Sequence, residues 1–509
     1  MPFSGGVEIE RKFDVGETTQ LPPLHQLPGV DRVEQPVEHQ LDATYFDTAD
    51  YSLAARRMTL RRRAGGEDAG WHLKMPVSSD ERREIREPLA EDPNIIPQPL
   101  LRLLRVHVRD RVLVPVARLR TRRVVHRLRD VHGDVLADFC DDRVQADLPE
   151  PKSASMNWRE WEIELADGST TLLELLDAVQ SMLAIAEVLP SAYPSKLARV
   201  LGDKYPQAEL SVPPRPERNC PTSKVLLAYV HAQVQVLTEQ DPRVRAGSPD
   251  SVHLMRIATR RLRSALSTYR TLLDADLATR LRTELKWLGR ILGAQRDAEV
   301  MHQRLTDLIA AEPTELVLGA IFRRVDEQLE SDFRNARLAA LETLDEERYF
   351  RLLDGFDALL ASPPLTDLAS ISEQKIVPKL VKNEWKRLRR AVRTALRTRA
   401  GVGHDQALHE VRKSAKRLRY AAETATPLYR KRATRIADAA EEIQTILGDH
   451  QDSVIAQGLL RHLGIEAHLQ GENTFSYGRL NALEQRTAES SEIQFLQAWK
   501  RFPSASLKT

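Results

Sequence analysis

The sequence contains few of the residues that form disulfides or thiolate metal sites. Cys140 and Cys220 are the only cysteines among 509 residues, which excludes a disulfide framework and a cysteine-ligated metal cluster. No run of 18 apolar residues occurs. The segment Met1-Pro2-Phe3-Ser4-Gly5-Gly6 lacks the basic and apolar regions of a signal peptide. We therefore expect a cytoplasmic protein without a membrane partner.

Aromatic residues are also scarce, at 5%, whereas 42% of the residues are hydrophobic and 29% are charged. This balance is typical of a helix-rich globular protein. The 75 basic and 73 acidic residues leave a net charge of only +2, so charged surfaces must be sought locally. The length predicts about three domains or sub-domains.

A proline-rich stretch divides the chain. Residues 206–221 contain Pro206, Pro213, Pro214, Pro216 and Pro221, a density that breaks both helices and strands. We interpret this stretch as an extended linker. It separates a predicted first domain at residues 1–205 from a predicted second domain at residues 222–505.

The segment Val7-Glu8-Ile9-Glu10-Arg11-Lys12-Phe13 carries an alternating charge pattern near the start of the chain. In a strand, successive side chains point to opposite faces, so Glu8, Glu10 and Lys12 share one side. Two carboxylates placed this way suit a hard divalent cation, and the lysine suits a phosphate bound to that cation. The alternative is an amphipathic edge strand with a solvated charged face.

The rest of the first domain is predicted to be mostly antiparallel β-structure with helices outside. Strands are predicted at Thr44–Thr48, Met58–Arg63, Trp71–Lys74, Arg82–Pro88, Leu113–Arg123, His126–Arg129, Val135–Asp141 and Trp158–Leu165, and helices at Gln98–Val106 and Thr171–Leu189, with Lys196 following the last helix. Several strands carry charges on alternate positions, as at Glu160, Glu162 and Glu164. A barrel with a mixed-charge lumen explains this pattern, and a twisted sheet with one solvated face is the alternative.

These residues resemble the CYTH family of triphosphate tunnel metalloenzymes. The resemblance covers about the first 200 residues and rests on these motifs in order: Glu8-Ile9-Glu10-Arg11-Lys12, Tyr45-Phe46-Asp47-Thr48, Leu60-Arg61-Arg62-Arg63, Leu73-Lys74, Arg83-Glu84, Glu162-Ile163-Glu164-Leu165 and Ser195-Lys196. It implies an eight-stranded antiparallel tunnel that takes in a triphosphate.

The resemblance also implies roles for individual residues. The acidic residues that match ligands of Mg²⁺ or Mn²⁺ are Glu8, Glu10, Glu162, Glu164 and Asp141, with Asp138 and Asp142 as alternatives to Asp141. The basic residues that match phosphate ligands are Lys12, Arg61, Arg63, Lys74, Lys196 and Arg123, with Arg122 as the alternative to Arg123. Glu84 is expected to orient the basic set.

The chemistry expected of this set is metal-dependent hydrolysis of inorganic triphosphate to diphosphate and phosphate. Basic residues neutralise the phosphoryl oxygens while a metal-activated water attacks, so no covalent nucleophile is required. Two alternatives stay open. One is a non-catalytic polyphosphate-granule-binding protein. The other is a triphosphatase or cyclase that acts on ATP or thiamine triphosphate.

The second domain has the 3.6-residue hydrophobic period of helices and an internal repeat. The segment His253–Arg263 returns as His409–Arg419, and Leu292–Asp297 returns as Leu447–Asp452. The repeat predicts one helical bundle that has been duplicated, with copies near residues 222–365 and 370–500.

Each copy carries a row of cations at positions i, i+3, i+7 and i+10, which fall on one helical stripe. The first row is His253, Arg256, Arg260 and Arg263, and the second is His409, Arg412, Lys416 and Arg419. Two rows facing each other across a groove would suit an extended polyanion, although single charge rows are usually solvated. Metal binding by the two histidines is disfavoured because their neighbours are basic. Nucleic acid is disfavoured because only Tyr420 offers a ring for stacking.

The duplicated rows resemble the CHAD domain, a helical module named for its histidines and often joined to CYTH domains. The resemblance covers roughly residues 222–500 and implies that both rows bind inorganic polyphosphate without catalysis, with the protein associated with polyphosphate granules. The whole chain is thus predicted to be an α+β multidomain protein. Its N-terminal part is an eight-stranded antiparallel β-tunnel with outer helices, and its C-terminal part is an all-α duplicated bundle.

Overall fold

The computed structural model describes residues 7–77, 81–90, 92, 94–149, 155–166, 173–206, 215–399 and 401–507. The chain divides into two compact units, Met1–Ser211 and Val212–Thr509. The division falls inside the stretch predicted as a linker, of which residues 207–214 lie outside the described part. Among the described residues, no helix combines the length and apolarity that crossing a bilayer needs.

The first unit is built on antiparallel strands. They are β1 (Val7–Val15), β2 (Arg32–Val33), β3 (Val37–Asp47), β4 (Thr59–Ala64), β5 (Gly70–Pro76), β6 (Glu81–Glu87), β7 (Val114–Arg129), β8 (Val135–Asp147) and β9 (Met156–Leu165). The neighbours run in the order β7-β3-β4-β5-β6-β1-β9-β8, and β8 pairs again with β7. Eight strands therefore close into a barrel, and the two-residue β2 pairs with one end of β7. The predicted antiparallel tunnel is confirmed.

One strand is longer than its sequence pattern indicated. The sequence predicted two strands, at 113–123 and 126–129, whereas β7 is continuous over 16 residues. Its partners explain the difference, because β8 pairs with it from Arg118 to Arg129 while β3 and then β2 pair along its other edge. A backbone held from both sides continues as a strand where the local pattern is weak.

Alternation along the strands sends apolar side chains outward to covering helices. Ile9 and Phe13 of β1 pack with Trp161 of β9 against helix α2 (Leu173–Ile185). In a second cluster, Leu60 and Trp71 pack against helix α1 (Gln98–Val108). Each such side chain contributes about 1.5–3 kcal/mol on burial. The charged side chains at the alternate positions of the same strands therefore face the inside of the barrel.

The last helix of the unit differs from the prediction. Thr171 and Leu172 of the predicted helix lie outside the described residues, and α2 ends at Ile185 instead of Leu189. A further helix, α3 (Lys196–Leu201), begins at Lys196, which the sequence placed after the last helix. Its N-cap is Ser195, whose hydroxyl accepts a hydrogen bond of 3.1 Å from the Ala198 N–H.

Helix α3 lies against the inner face of the barrel. Leu197, Val200 and Leu201 pack with Ala43 and Leu119, which share a strand face with tunnel-lining residues. By alternation this apolar contact covers one end of the lumen. It also fixes the position of Lys196 beside the charged part of the interior.

The second unit is helical in the residues that the structure describes. Its helices are α4 (Thr222–Ala246), α5 (Ser251–Thr268), α6 (Ala275–Ala310), α7 (Ile321–Asp345), α8 (Glu347–Ala361), α9 (Glu373–Ala395), α10 (Val402–Leu469) and α11 (Phe475–Lys500). The repeat is visible in the pairing of α5 with α6 and in the two halves of α10, which is interrupted at Arg430 with φ 41°. Helices α5 and α10 carry the two predicted cation rows and pack against each other.

Candidate functional site

The interior of the barrel is lined by charged side chains from all parts of the wall. The basic ones are Lys12, Arg61, Arg63, Lys74, Arg82, Arg86, Arg123 and Lys196, and the acidic ones are Glu8, Glu10, Asp68, Glu162 and Glu164. Eight basic groups against five acidic ones leave this wall net positive. A net positive enclosed wall attracts a polyanion more strongly than an open surface does.

The first carboxylates of the tunnel are held by a lysine. The Nζ of Lys12 lies 2.7 Å from the Oε1 of Glu10 and 2.8 Å from the Oε1 of Glu162. Burial alone would raise the pKa of Glu10, but the charges of Lys12 and Lys74 outweigh it and hold that pKa below its ordinary value. Glu10 and Glu162 are therefore carboxylates available to a cation.

The other two carboxylates are less well compensated. Burial and the charges of Glu8 and Glu10 raise the pKa of Glu164 to about 8. Glu8 is contacted by Lys74 from the neighbouring wall. Four carboxyl groups from two adjacent strands thus form an all-oxygen donor set, which fits a hard divalent ion such as Mg²⁺ or Mn²⁺. The residues that could hold it are Glu8, Glu10, Glu162 and Glu164.

The structure corrects the choice of Asp141. Its carboxylate faces away from the lumen and pairs with Arg159, with both oxygens at 2.8 Å. Asp142, one residue on, is fully buried and accepts from Arg123 at 2.6 and 2.8 Å. Because successive strand residues point to opposite faces, a shift of one position moves the carboxylate from the outer side to the inner side. Asp138 pairs with Arg127 at 2.9 Å.

Lys196 joins Asp142 to the glutamates of β9. Its Nζ lies 2.6 Å from Glu160, 2.7 Å from Glu162 and 2.9 Å from Asp142. Burial would lower the pKa of Lys196, but these carboxylates raise it well above its ordinary value. The lysine is thus a permanent cation, positioned by the cap of α3.

The structure also separates Arg123 from Arg122. Arg123 contacts Asp142 and Glu162 at the inner wall. Arg122 pairs with Glu38 at 2.6 and 2.9 Å, and its side chain is 46% exposed. Arg123 is therefore the arginine that the barrel presents to the lumen.

Glu84 lies beneath the basic residues of the neighbouring strands. It is 2.9 Å from His72, 3.6 Å from Arg61 and 3.9 Å from Lys74. Although burial would raise its pKa, these groups hold the pKa of Glu84 below its ordinary value. The contacts match the expectation that Glu84 orients the basic set.

Arg63 is the least compensated cation of the tunnel. Burial, together with the charges of Arg61 and Arg123, lowers its pKa to about 9. Its carboxylate partner is Asp68, at the wall of the same cavity. An anion in the lumen would relieve this excess of positive charge.

Sequence reasoning missed several residues of the tunnel wall. Arg82 and Arg86 line it on the same face as Glu84; the alternation of the sequence predicts that shared face, but the predicted phosphate ligands do not include the two arginines. Tyr45 and Thr59 also line it, with the Tyr45 hydroxyl 3.5 Å from Arg61. Their signal is weak, because hydroxyl side chains carry no charge pattern.

In the second unit the two cation rows meet around Arg260 and Lys416. Burial and the charges of Arg412, Arg260 and Arg256 lower the pKa of Lys416 to about 6. Burial and neighbouring cations likewise lower the pKa values of Arg260 and Arg412. Within the described part of the chain, no ion-pair partner lies within 4.0 Å of Arg260, Arg412 or Lys416. The arrangement is a half-buried cluster of basic side chains, in which the charge of Asp452 offsets only part of the effect of burial and of the neighbouring cations on Arg412 and Lys416.

The second repeated motif supports the cluster. A side chain at Gly293 would stand 3.7 Å from the Arg256 guanidinium, and one at Gly448 would stand 3.2 Å from that of Arg412. The contact at Gly448 is tight, so this glycine leaves room for Arg412 to lie across the next helical segment, whereas a side-chain carbon at Gly293 would make an ordinary contact with Arg256. Asp297, four residues after Gly293, pairs with Arg256 at 2.9 Å.

The histidines that head the rows remain partly exposed. Burial and nearby cations lower the pKa of His253 and of His409, so both are neutral near pH 7. The Nδ1 of His409 is 2.9 Å from the Oε1 of Gln451.

The far ends of the two rows differ in their surroundings. Arg419 pairs with Glu423 at 2.8 Å and with Glu441 at 2.9 Å, so its charge is already neutralised. Arg263 lies near Arg417 and Arg282, whose charges, after burial, lower its pKa. The structure therefore brings Arg256, Arg260, Arg412 and Lys416 together. Arg417 and Arg282 lie near Arg263, while Arg419 lies near Arg260 but is paired with two glutamates.

Comparison with known proteins gives two family matches. Residues 6–201 match the CYTH domain, and residues 228–461 match the CHAD domain. Uncharacterized proteins from two strains of Mycobacterium tuberculosis are 39% identical over 516 residues, covering 99% of this chain and 97% of each relative.

Solved structures resemble parts of the chain. PptA from Streptomyces chartreusis has a TM-score of 0.48 and 24% identity, covering 55% of this chain and 100% of its own. The CHAD domain of Ricinus communis has a TM-score of 0.47 and 22% identity, covering 57% and 96%. HpAC1 from Hippeastrum, for which a dominant triphosphatase activity is reported, has a TM-score of 0.24 and 18% identity, covering 38% and 93%.

Proposed function

This chain belongs to the proteins that join an N-terminal CYTH domain to a C-terminal CHAD domain, and from that membership we propose that its tunnel hydrolyses inorganic triphosphate. The observation that supports the proposal is the tunnel wall itself, where five carboxylates and eight basic side chains face one enclosed space. This combination suits a substrate that is a polyanion carrying a divalent cation.

Each part of the wall has a separate task in this proposal. Lys12, Arg61, Arg63, Lys74, Arg123 and Lys196 bind phosphoryl oxygens and neutralise the charge that develops on them. Glu8, Glu10, Glu162 and Glu164 would hold Mg²⁺ or Mn²⁺, with Asp142 replacing Asp141 at the edge of the set. When bound, such an ion polarises a phosphoryl oxygen and lowers the pKa of a coordinated water.

The lysines change partners as the tunnel fills. Lys12 spans Glu10 and Glu162, so it would be free to bind a phosphoryl oxygen if those carboxylates held a cation. Lys196 has three carboxylates around it and keeps its charge when it loses one of them. Ser195 is not suited to act as a nucleophile, because its hydroxyl caps α3. Water is therefore the proposed attacking group.

Phosphate release by the full chain tests the activity. Tripolyphosphate, ATP, thiamine triphosphate and long-chain polyphosphate are compared with Mg²⁺, with Mn²⁺ and after EDTA treatment. We expect tripolyphosphate to be the best substrate and chelation to stop turnover. Preferred release from ATP or thiamine triphosphate would move the proposal to an organic substrate, and turnover that survives chelation would contradict it.

A matched pair of variants separates the tunnel from the outer surface. Glu8→Gln keeps the shape of a lining side chain but removes its charge, so turnover should fall about 100-fold or more. Glu38→Gln makes the same change on the outer face, where Glu38 pairs with Arg122, and turnover should stay near that of the unmodified chain.

For the helical unit, we propose binding of inorganic polyphosphate at the cluster of Arg256, Arg260, Arg412 and Lys416. The support is the lowered pKa values of Arg260, Arg412 and Lys416, which burial and the charges of the neighbouring cations cause and which a bound linear polyanion would relieve. The test is competition between polyphosphate and duplex DNA at matched phosphate concentration and fixed salt. Equal affinity for polyphosphate and DNA would show that the cluster is a non-specific basic surface.

Variants locate the binding surface. Arg412→Ala combined with Lys416→Ala should weaken polyphosphate binding about tenfold or more. Arg323→Ala combined with Arg334→Ala removes two exposed cations of α7 and is the matched control. Equal losses in both double variants would contradict the assignment.

A further inference from the structure

A cluster of potential metal ligands lies in the helical unit, outside both proposed sites. Asp405 is near the start of α10, His450 is in its second half, and Glu492 is on α11. Their ligand atoms all lie within 4.8 Å of one another. From this geometry we propose that Asp405, His450 and Glu492 bind a divalent first-row transition-metal ion such as Zn²⁺.

The distances between donor atoms fit a single ion. The Nε2 of His450 is 3.4 Å from a Glu492 oxygen and 3.7 Å from an Asp405 oxygen. Ligands around a tetrahedral ion with bonds of about 2.0–2.1 Å lie about 3.3–3.4 Å apart. Only a small adjustment of Asp405 is needed to bring three donors to one centre, and the fourth position stays open to water.

Burial supplies an independent indication. The His450 side chain is only 3% exposed, and its Nε2 is directed at two carboxylates. A buried imidazole facing two carboxylates is the environment in which histidine commonly ligates a metal. His450 therefore supplies the central donor of the proposed site.

His404 supplies a support for the ligand on α11. Its Nε2 is 3.2 Å from the second oxygen of Glu492, while its Nδ1 is buried and has no hydrogen-bond partner among the residues that the structure describes. A histidine that holds the free oxygen of a ligating carboxylate fixes the direction of the other oxygen. His404 is thus assigned a positioning role.

The chemistry of this site differs from that of the tunnel. The tunnel offers carboxylate oxygens alone, which suit Mg²⁺ or Mn²⁺. One imidazole nitrogen with two carboxylates favours Zn²⁺ over Mg²⁺ because the nitrogen is the softer donor. An ion here would link both halves of α10 to α11, so its expected effect is stabilisation of the helical unit.

Zinc binding by the full chain tests the proposal. Protein stripped with a chelator is dialysed against Zn²⁺ with excess Mg²⁺ to occupy the tunnel, and bound zinc is measured by mass spectrometry. We expect about one zinc more in the unmodified chain than in Glu492→Gln, and a higher melting temperature with zinc only in the former. The control His462→Gln disrupts an exposed pair, 3.3 Å from Glu466, and should not change zinc content.

Variants of the other proposed ligands and of His404 test the same site independently. His450→Gln should lose the same zinc equivalent, and if it fails to fold, Asp405→Asn gives the equivalent test at a more exposed position. His404→Gln should retain the zinc with about 10–100-fold weaker affinity, which a ligand or a merely structural residue would not show. Equal zinc content in Glu492→Gln and the unmodified chain would overturn the proposal. So would loss of this zinc in Glu8→Gln, which alters only the tunnel.

Discussion

Glu10 and Glu164 lie directly opposite each other on the adjacent antiparallel strands β1 and β9. Like charges in this relationship destabilise a sheet, and here the raised pKa of Glu164 reflects burial together with the charges of Glu8 and Glu10. A divalent cation between the strands would turn this repulsion into attraction. The two facing carboxyl groups therefore destabilise the metal-free barrel, and the proposed metal-binding function explains why both are present.

The first prediction follows from that pair. Above about pH 8, where Glu164 is charged, Glu164→Gln removes one of the two facing charges, so the metal-free protein should be more stable by about 0.2–1 kcal/mol. Phosphate release should fall about 100-fold or more. Thermal melting in EDTA and a turnover assay check the two effects. Glu17→Gln, an exposed change near the end of β1, is the control. Undiminished turnover in Glu164→Gln would contradict its role.

The second prediction distinguishes two neighbouring aspartates. Asp142→Asn removes a charge that Lys196 and Arg123 share in the buried wall, so both stability and turnover should fall. Breaking a buried ion pair costs about 3–5 kcal/mol. Asp141→Asn alters a pair with Arg159 on the outer side and should leave turnover near normal. A larger loss of turnover in Asp141→Asn would restore the assignment made from sequence.

The third prediction concerns Lys416, whose charge is unfavourable in the free protein. Lys416→Met should raise stability by about 0.5–2 kcal/mol near pH 7, since folding then no longer has to remove the proton that this lysine carries in the unfolded chain. The same change should weaken polyphosphate binding. Denaturation curves and binding titrations measure the opposite effects. If Lys416→Met destabilised the chain, the cluster would not carry the strain inferred from its charges.

The position of a side chain could be predicted from the sequence where neighbouring residues alone determine it. The two-residue period of β1 placed Glu8, Glu10 and Lys12 on one face without any tertiary information, and the closed barrel confirms that shared face. The same rule failed at Asp141, because the register of β8 depends on its pairing with β9. A one-residue error there exchanges the two faces.

In the helical unit, contacts between residues that are far apart in the sequence could not be predicted. The spacing of His409, Arg412 and Lys416 correctly placed them on one stripe of α10. Arg419 falls on the same stripe, but its partner Glu441 is 22 residues away and lies beyond the kink at Arg430. The ligands Asp405, His450 and Glu492 show no sequence motif at all, because only the packing of α10 with α11 brings them together.

The last prediction is the pH dependence of polyphosphate binding. The pKa of Lys416 is lowered to about 6 by burial and by Arg412, Arg260 and Arg256, so above that pH the free protein holds a neutral lysine. A bound polyanion favours the charged form, and binding therefore takes up a proton. Affinity should fall as the pH rises from about 6.5 to 8.5.

Lys416→Arg isolates this effect, because a guanidinium stays charged throughout that range. The affinity of this variant should be nearly independent of pH over the interval and should exceed that of the unmodified chain at the upper end. The histidines at the heads of the rows have lowered pKa values and titrate below the interval, so they should contribute little. The measurement is a set of titrations at constant ionic strength in two buffers with different ionisation enthalpies, which also counts the protons taken up. An equal loss of affinity with pH in Lys416→Arg would assign the dependence to another group.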